Sequence, residues 1–209
     1  MQRKAVKAVF FDLDGVLVDS YEAWFSIVNS TLGYYGLETL SKKQFASGFG
    51  NAIEKDIKII YNGQTISEVK KMYCFFFGKN WGKVRLFKDT LPVLKKLRMQ
   101  KLRLALISNS SREIIDITLT KLKMKKYFEF TVSMDDVKRS KPAPDSLLLA
   151  LERMRLKNTE AVFVGDTEND ILAGKRAGIT TVGYNIRGDL QISSLKNMIK
   201  IVSPKYRKI

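Results

Sequence analysis

The chain has 209 residues, 45% of them hydrophobic, enough to bury a core as one domain or as a domain carrying an insertion. It holds 37 Lys and Arg against 21 Asp and Glu, a net charge of +16, with one cysteine and no histidine. That excludes a disulfide framework, Cys-cluster or His-ligated metal sites and every catalytic scheme built on histidine, so any chemistry falls to carboxylates, lysine or hydroxyls.

Taken in chain order, Lys7 to Asp12 is a short apolar run that ends in acidic residues and a glycine, which suits a buried parallel strand. Asp12 and Asp14 interrupt this first apolar stretch too early for a signal peptide. No later run reaches the length of a membrane span, so a cytoplasmic location and no membrane partner are expected. From about Tyr21 to Val84 the chain is rich in aromatics and helical in pattern, with glycines at 33, 36, 48, 50, 63, 78 and 82. This stretch reads as an inserted helical cap, and Cys74 within it as a small buried hydrophobe. Strand-like runs resume at Leu102 to Ser108, Phe130 to Ser133, Ala161 to Asp166 and Thr180 to Tyr184. Between them Ile114, Ile115, Thr118, Leu119 and Leu122 keep helical spacing, as do Leu147, Leu148, Leu151 and Met154. Ser110 with Glu113 makes a capping box, Pro144 suits a first helical position, Thr167 with Asp170 resembles a further cap, and Gly178 is a helix stop.

The alternation of strand and helix predicts an α/β fold, a Rossmann-like parallel sheet core flanked by helices with a small helical cap inserted. The expected division is 1–16 with 85–209 as the catalytic core and 17–84 as the cap. Only +2 of the net charge lies between Leu17 and Val84, from 8 Lys against 6 acidic residues, which leaves +14 elsewhere. Much of it sits in the runs Lys95 to Arg103, Lys121 to Lys126 and Lys205 to Lys208. At helical spacing such runs are ordinarily solvated faces, with steering of an anionic substrate or contact with nucleic acid as the alternatives.

Four strand ends carry polar residues, and ligands bind at the carboxyl ends of parallel strands. The first end is Asp12-Leu13-Asp14-Gly15, two carboxylates that can share one site as the chain leaves the strand. The second, Ser108-Asn109-Ser110, sets a hydroxyl and an amide beside a helix N-terminus, a good place for phosphate oxygens. Lys141 in Ser140-Lys141-Pro142 is the third. The fourth, Gly165-Asp166-Thr167-Glu168-Asn169-Asp170, is an acidic turn able to bind a hard cation through oxygen. Singly, each also fits a turn, a helix cap or a solvent-facing lysine.

In order and spacing the four motifs resemble the signature of the haloacid dehalogenase superfamily. Phe11-Asp12-Leu13-Asp14-Gly15-Val16-Leu17-Val18-Asp19-Ser20 is similar to the first motif of its phosphoglycolate phosphatase and β-phosphoglucomutase branch. The resemblance spans essentially the whole chain. It implies a magnesium-dependent phosphatase acting on a small phosphorylated metabolite of the phosphoglycolate or sugar phosphate type. Asp12 would be the nucleophile that forms an aspartyl-phosphate, and Asp14 the acid for the leaving group and then the base for water. Mg2+ would be held by Asp12, the backbone carbonyl of Asp14 and Asp166, with Asp170 supporting them from behind. Ser108, Asn109 and Lys141 would bind the phosphoryl oxygens.

Within the family, Asp14 argues against a dehalogenase, which normally lacks that second aspartate. Trp24 stands where the mutase branch carries a histidine, and Lys55 keeps open a phosphonatase that forms a Schiff base. Gly48-Phe49-Gly50-Asn51 with Lys55 is the expected specificity loop. Outside the family, +16 also fits a nucleic-acid-binding protein without turnover, and four intact motifs speak against that. A monomer or homodimer is expected.

Overall fold

The computed structural model describes residues 5–61 and 63–203; the basic run Lys205 to Lys208 lies outside them. In chain order the elements are β1 (Ala8–Phe11), β2 (Val18–Asp19), α1 (Tyr21–Tyr34), α2 (Lys42–Gly48), α3 (Ile53–Ile59) and α4 (Ile66–Asn80). There follow β3 (Arg85–Leu86), α5 (Thr90–Met99), β4 (Arg103–Ile107), α6 (Arg112–Lys121), β5 (Phe130–Val132) and α7 (Asp145–Met154). The last are β6 (Ala161–Gly165), α8 (Glu168–Ala177), β7 (Thr180–Tyr184), β8 (Leu190–Ile192) and α9 (Asn197–Ile201).

Six strands form one parallel sheet in the order β5-β4-β1-β6-β7-β8. The two central strands, β1 and β6, carry no polar side chain because both faces are covered. Val9, Phe11, Leu104, Leu106, Val162 and Val164 face a core shared with α5, α6 and α9. Their neighbours Ala8, Phe10, Ala105, Ile107 and Phe163 face a second core with α7 and α8. The period-two alternation of a strand thus assigns each residue to one of two apolar layers. The fold class is the one expected, but the sheet has one strand more, β8, three residues at its edge.

The two-stranded antiparallel ribbon β2–β3 pairs Val18 with Leu86 and Asp19 with Arg85, and α1 to α4 occupy the chain between them. Aromatic rings knit these helices: Trp24 meets Tyr73 and Phe77, and Tyr61 meets Tyr35 and Tyr73. Ring pairs of this kind add roughly 0.5–1.5 kcal/mol each beyond burial. Cys74 is half-buried, its Sγ 3.4 Å from Ser111 Oγ on the sheet side.

Helix ends differ from expectation in two places. The cap of α6 is Ser111, which accepts from Ile114 N; Ser110, one residue earlier, turns toward Asp14 instead. Pro144 is the residue before α7, so that helix starts one position later. Thr167 and Asp170 do form a full capping box on α8, and Gly178 ends that helix at φ +69°, a left-handed conformation that glycine adopts without penalty. The runs at Lys95, Lys96, Arg98 and Lys101 and at Lys121, Lys123, Lys125 and Lys126 are exposed, as solvated faces should be. Among the described residues no helix is long and apolar enough to cross a membrane.

Leu104 is fully buried in the central sheet, whereas Leu148 is an exposed leucine of α7. Leu104→Ala should therefore lower the unfolding free energy by about 2–5 kcal/mol in urea titration. Leu148→Ala should change it by no more than about 0.5 kcal/mol.

Candidate active site

All four polar strand ends meet. Asp12 follows β1, Ser108 follows β4, Lys141 lies in the loop after β5, and Asp166 follows β6, at the carboxyl edge of the sheet. Asp12, Asp14, Ser108, Asn109, Lys141 and Asp170 line one cleft, whose far wall is built by α1 to α4.

The Lys141 ammonium is buried at the centre. It donates to Asp12 Oδ1 at 2.5 Å, Asp170 Oδ1 at 2.6 Å and Ile107 O at 3.3 Å, using all three of its N–H bonds. The Phe163 ring lies beneath it, 5.4 Å away at the centroid. Burial works to lower the lysine, but the two carboxylates outweigh it and hold it above its ordinary value. Asn109 fixes the loop: Lys141 N donates to Asn109 Oδ1 at 2.9 Å, and Asn109 Nδ2 donates to Lys141 O at 3.0 Å. The Asn109 amide, expected on phosphoryl oxygens, is thus already engaged by the main chain.

Asp12 is raised well above the ordinary carboxylate range by burial; Lys141 pulls the other way, and Asp170, Asp166 and Asp14 add to the rise. Asp166 is pushed up to about 7, chiefly by burial and then by Asp170. Its Oδ1 is buried and has no hydrogen-bond partner among the described residues. Carboxylate oxygens of Asp12, Asp166 and Asp170 lie within 4.8 Å of one another. Three clustered carboxylates facing one ammonium are short of positive charge, and an orphaned buried oxygen is what a hard divalent cation would satisfy. The donor set fits magnesium. Asp170 takes little part, since Oδ1 is on Lys141 and Oδ2 accepts from Thr167 N and Oγ1 at 3.1 and 2.6 Å.

Asp14 is kept apart from that cluster. Its Oδ1 accepts from Ser20 Oγ at 2.5 Å and Trp24 Nε1 at 3.0 Å, and its Oδ2 from Ser110 Oγ at 3.2 Å. Two aspartates two residues apart therefore sit in different surroundings. Gly15 makes this turn possible: its φ is +78°, and a Cβ there would lie 2.0 Å from Asp166 Oδ2.

Sequence reasoning missed Ser20, Trp24 and Ser110 as partners of Asp14; Trp24's place at the mutase histidine position was the available signal. It also missed Asn169, whose Nδ2 donates to Gly50 O at 3.1 Å, a bond that seats the 48–51 loop over the site. Gly48, Phe49, Gly50 and Asn51 do line the cleft, while Lys55 faces an adjoining cavity.

The sequence pattern of the haloacid dehalogenase-like hydrolases matches residues 9–184, and the chain belongs to that family. The phosphoglycolate phosphatase of Yersinia pestis is 30% identical over 194 residues, covering 87% of this chain and 84% of that protein. Pyrophosphatase PpaX of Bacillus velezensis is 29% identical over 197 residues, covering 93% and 91%. The crystal structure of a predicted phosphoglycolate phosphatase from Haemophilus somnus superposes with a TM-score of 0.77 at 25% identity, covering 95% of this chain and 98% of that one.

Removing the buried ammonium leaves Asp12 and Asp170 facing each other unpaired. Lys141→Ala should cost about 3–5 kcal/mol of stability by denaturant titration. Lys138→Ala, at an exposed position nearby, should cost no more than about 0.5 kcal/mol.

Proposed function

We propose that this hydrolase is a magnesium-dependent phosphatase that cleaves a small phosphorylated metabolite of the phosphoglycolate or sugar phosphate type through an aspartyl-phosphate. The observation that carries this reading is the separation of Asp12 from Asp14: the first is clamped by Lys141 among carboxylates, the second is oriented by Ser20, Trp24 and Ser110.

On this reading an Asp12 carboxylate oxygen attacks phosphorus in line and the bond to the leaving oxygen breaks. Asp14 gives that oxygen its proton, and then takes one from the water that attacks the phosphorus of the aspartyl-phosphate and frees the carboxylate of Asp12. One residue serves both steps because they need opposite proton movements. Ser108, the backbone N–H of Asn109 and Lys141, which exchanges its long 3.3 Å bond to Ile107 O for the substrate, receive the phosphoryl oxygens, developing charge being met by fixed donors. Asp12, Asp166 and the backbone carbonyl of Asp14 would hold Mg2+, which supplies positive charge between the anionic nucleophile and the phosphate dianion. Asp170 keeps Lys141 in place.

The proposal includes the division into a core of 1–16 with 85–209 and a cap of 17–84, and the cytoplasmic location expected from the sequence. Hydrolysis is favoured over phosphosugar transfer because the chain has no histidine and Trp24 Nε1, which donates to Asp14, cannot act as a base.

Turnover of p-nitrophenyl phosphate should require magnesium and stop on chelation. Full activity in chelator would overturn the metal assignment. Under single-turnover conditions Asp12→Asn should form no phosphoenzyme with any ester, since an amide is a far poorer nucleophile. Asp14→Asn should lose roughly two to four orders of magnitude on alkyl phosphates. It should recover in part with a nitrophenolate leaving group, and labelled phosphate should accumulate on the protein. A phosphorylated Asp12→Asn would refute the mechanism.

A further inference from the structure

The far wall of the cleft is aromatic and aliphatic, with Trp24, Phe45, Phe49, Ile53 and Tyr73. Two ionisable carboxylate or ammonium side chains stand among them, Asp56 of α3 and Lys70 of α4. Lys70 is spent: its Nζ is 2.5 Å from Asp135 Oδ1, while Asp135 Oδ2 accepts from Arg112 N at 2.8 Å. Lys141, the other lysine lining the cleft, is held between Asp12 and Asp170. Every cation lining the cleft is therefore already matched by a carboxylate of the protein.

Asp56 is the converse case. Among the described residues no cation lies within ion-pair distance of it; its partners are neutral, the Asn51 amide and the Tyr73 hydroxyl, the latter donating to Oδ2 at 3.4 Å. Lys55, next in the chain, points its Nζ at Asn51 Oδ1 at 3.1 Å. Asp56 also lines the adjoining cavity, so it stands where the cleft continues past the phosphoryl site into the four-helix segment. Burial pushes its carboxyl up to about 7, so near neutral pH it can accept or donate a hydrogen bond. A half-buried carboxyl facing an apolar wall, held by an amide and by a long bond from a tyrosine, is one that a ligand hydroxyl would complete.

We infer that Asp56 determines substrate specificity: it binds a hydroxyl of a neutral, hydroxylated leaving group, a polyol or sugar, and disfavours leaving groups that carry their own carboxylate or second phosphate. A second anion would meet the Asp56 carboxyl itself, and the nearest cation, Lys55, already acts on Asp56 and bonds Asn51 Oδ1. The inference rests on the phosphatase reading and narrows it away from phosphoglycolate and pyrophosphate. The relatives that act on those compounds by name share about 30% of positions with this chain.

The test is steady-state kinetics of the full chain with magnesium on glycerol phosphate, glucose phosphate, phosphoglycolate, pyrophosphate and p-nitrophenyl phosphate. One of the hydroxylated esters should exceed phosphoglycolate and pyrophosphate in kcat/KM by at least about tenfold, as expected when a site loses or gains a matched hydrogen bond. Asp56→Leu should lower the ratio of kcat/KM for that ester over p-nitrophenyl phosphate about tenfold, mainly through KM. Asp56→Asn, which still hydrogen-bonds a hydroxyl but carries no charge, should keep most of that ratio and raise relative activity on phosphoglycolate. A ratio taken within one preparation is unaffected by how much of a variant is folded. Preference of the wild type for phosphoglycolate or pyrophosphate, or an unchanged ratio in Asp56→Leu, overturns the inference while leaving the phosphatase standing. Failure to hydrolyse p-nitrophenyl phosphate and every other ester removes both.

Discussion

A single buried ammonium holds the site together. Lys141 bonds the end of β4 through Ile107 O, the residue after β1 through Asp12, and the first turn of α8 through Asp170. Those are three adjacent strand ends of the sheet, counting α8 as the continuation of β6. Burying a charge is unfavourable unless each of its hydrogen-bonding positions is filled, and here each is. The supports are layered: Asn109 holds the Lys141 main chain from both sides, and Thr167 holds the far oxygen of Asp170. A shift of any one of these strands would strand a charge in the interior.

The same arrangement leaves negative charge in excess. One ammonium cannot balance Asp12, Asp166 and Asp170, and the imbalance falls on Asp166, with its raised carboxyl and its buried oxygen lacking a partner. Gly15 lets the backbone come up against that carboxylate, so the turn that displays Asp14 and the acid cluster are in contact. The environment, rather than the residue type, separates Asp12 from Asp14: one is surrounded by charge, the other by neutral donors.

How much of this was legible in the sequence depended on the range of the signal. Five central and flanking strands were readable because burial on both faces demands continuous apolar runs. β8 was not, since Leu190-Gln191-Ile192 is an edge strand with a polar centre and too short to show a period. The α6 cap was misplaced by one residue because Ser110 and Ser111 are equally good caps locally, and only the distant Asp14 decides which of them turns inward. Asp12, Ser108 and Asp166 were legible as polar residues at strand ends, and Lys141, in a loop well past β5, through the order of the four motifs together. The roles of Ser20, Trp24 and Asn169 were not: Ser20 and Trp24 reach Asp14 across an irregular turn whose course no periodicity records, and Asn169 reaches Gly50 from the other end of the chain. The Asp56 wall was invisible too: its character comes from where Lys70 and Tyr73 point, and no spacing records that.

The four-helix segment and the sheet are joined at the chemical centre rather than only at its margin. Gly50 O accepts from Asn169 Nδ2 at 3.1 Å and from Asn109 Nδ2 at 3.5 Å, and that same Asn109 nitrogen donates to Lys141 O. The amide that braces the central lysine therefore also meets the loop covering the cleft. Lys70 and Asp135 add a second tie on the far side, at the wall of the cleft. Displacing the 48–51 loop would remove one acceptor from each asparagine and leave a polar gap over Lys141. The seating of Lys141 and the pairing of Lys70 with Asp135 are thus consequences of one docking geometry.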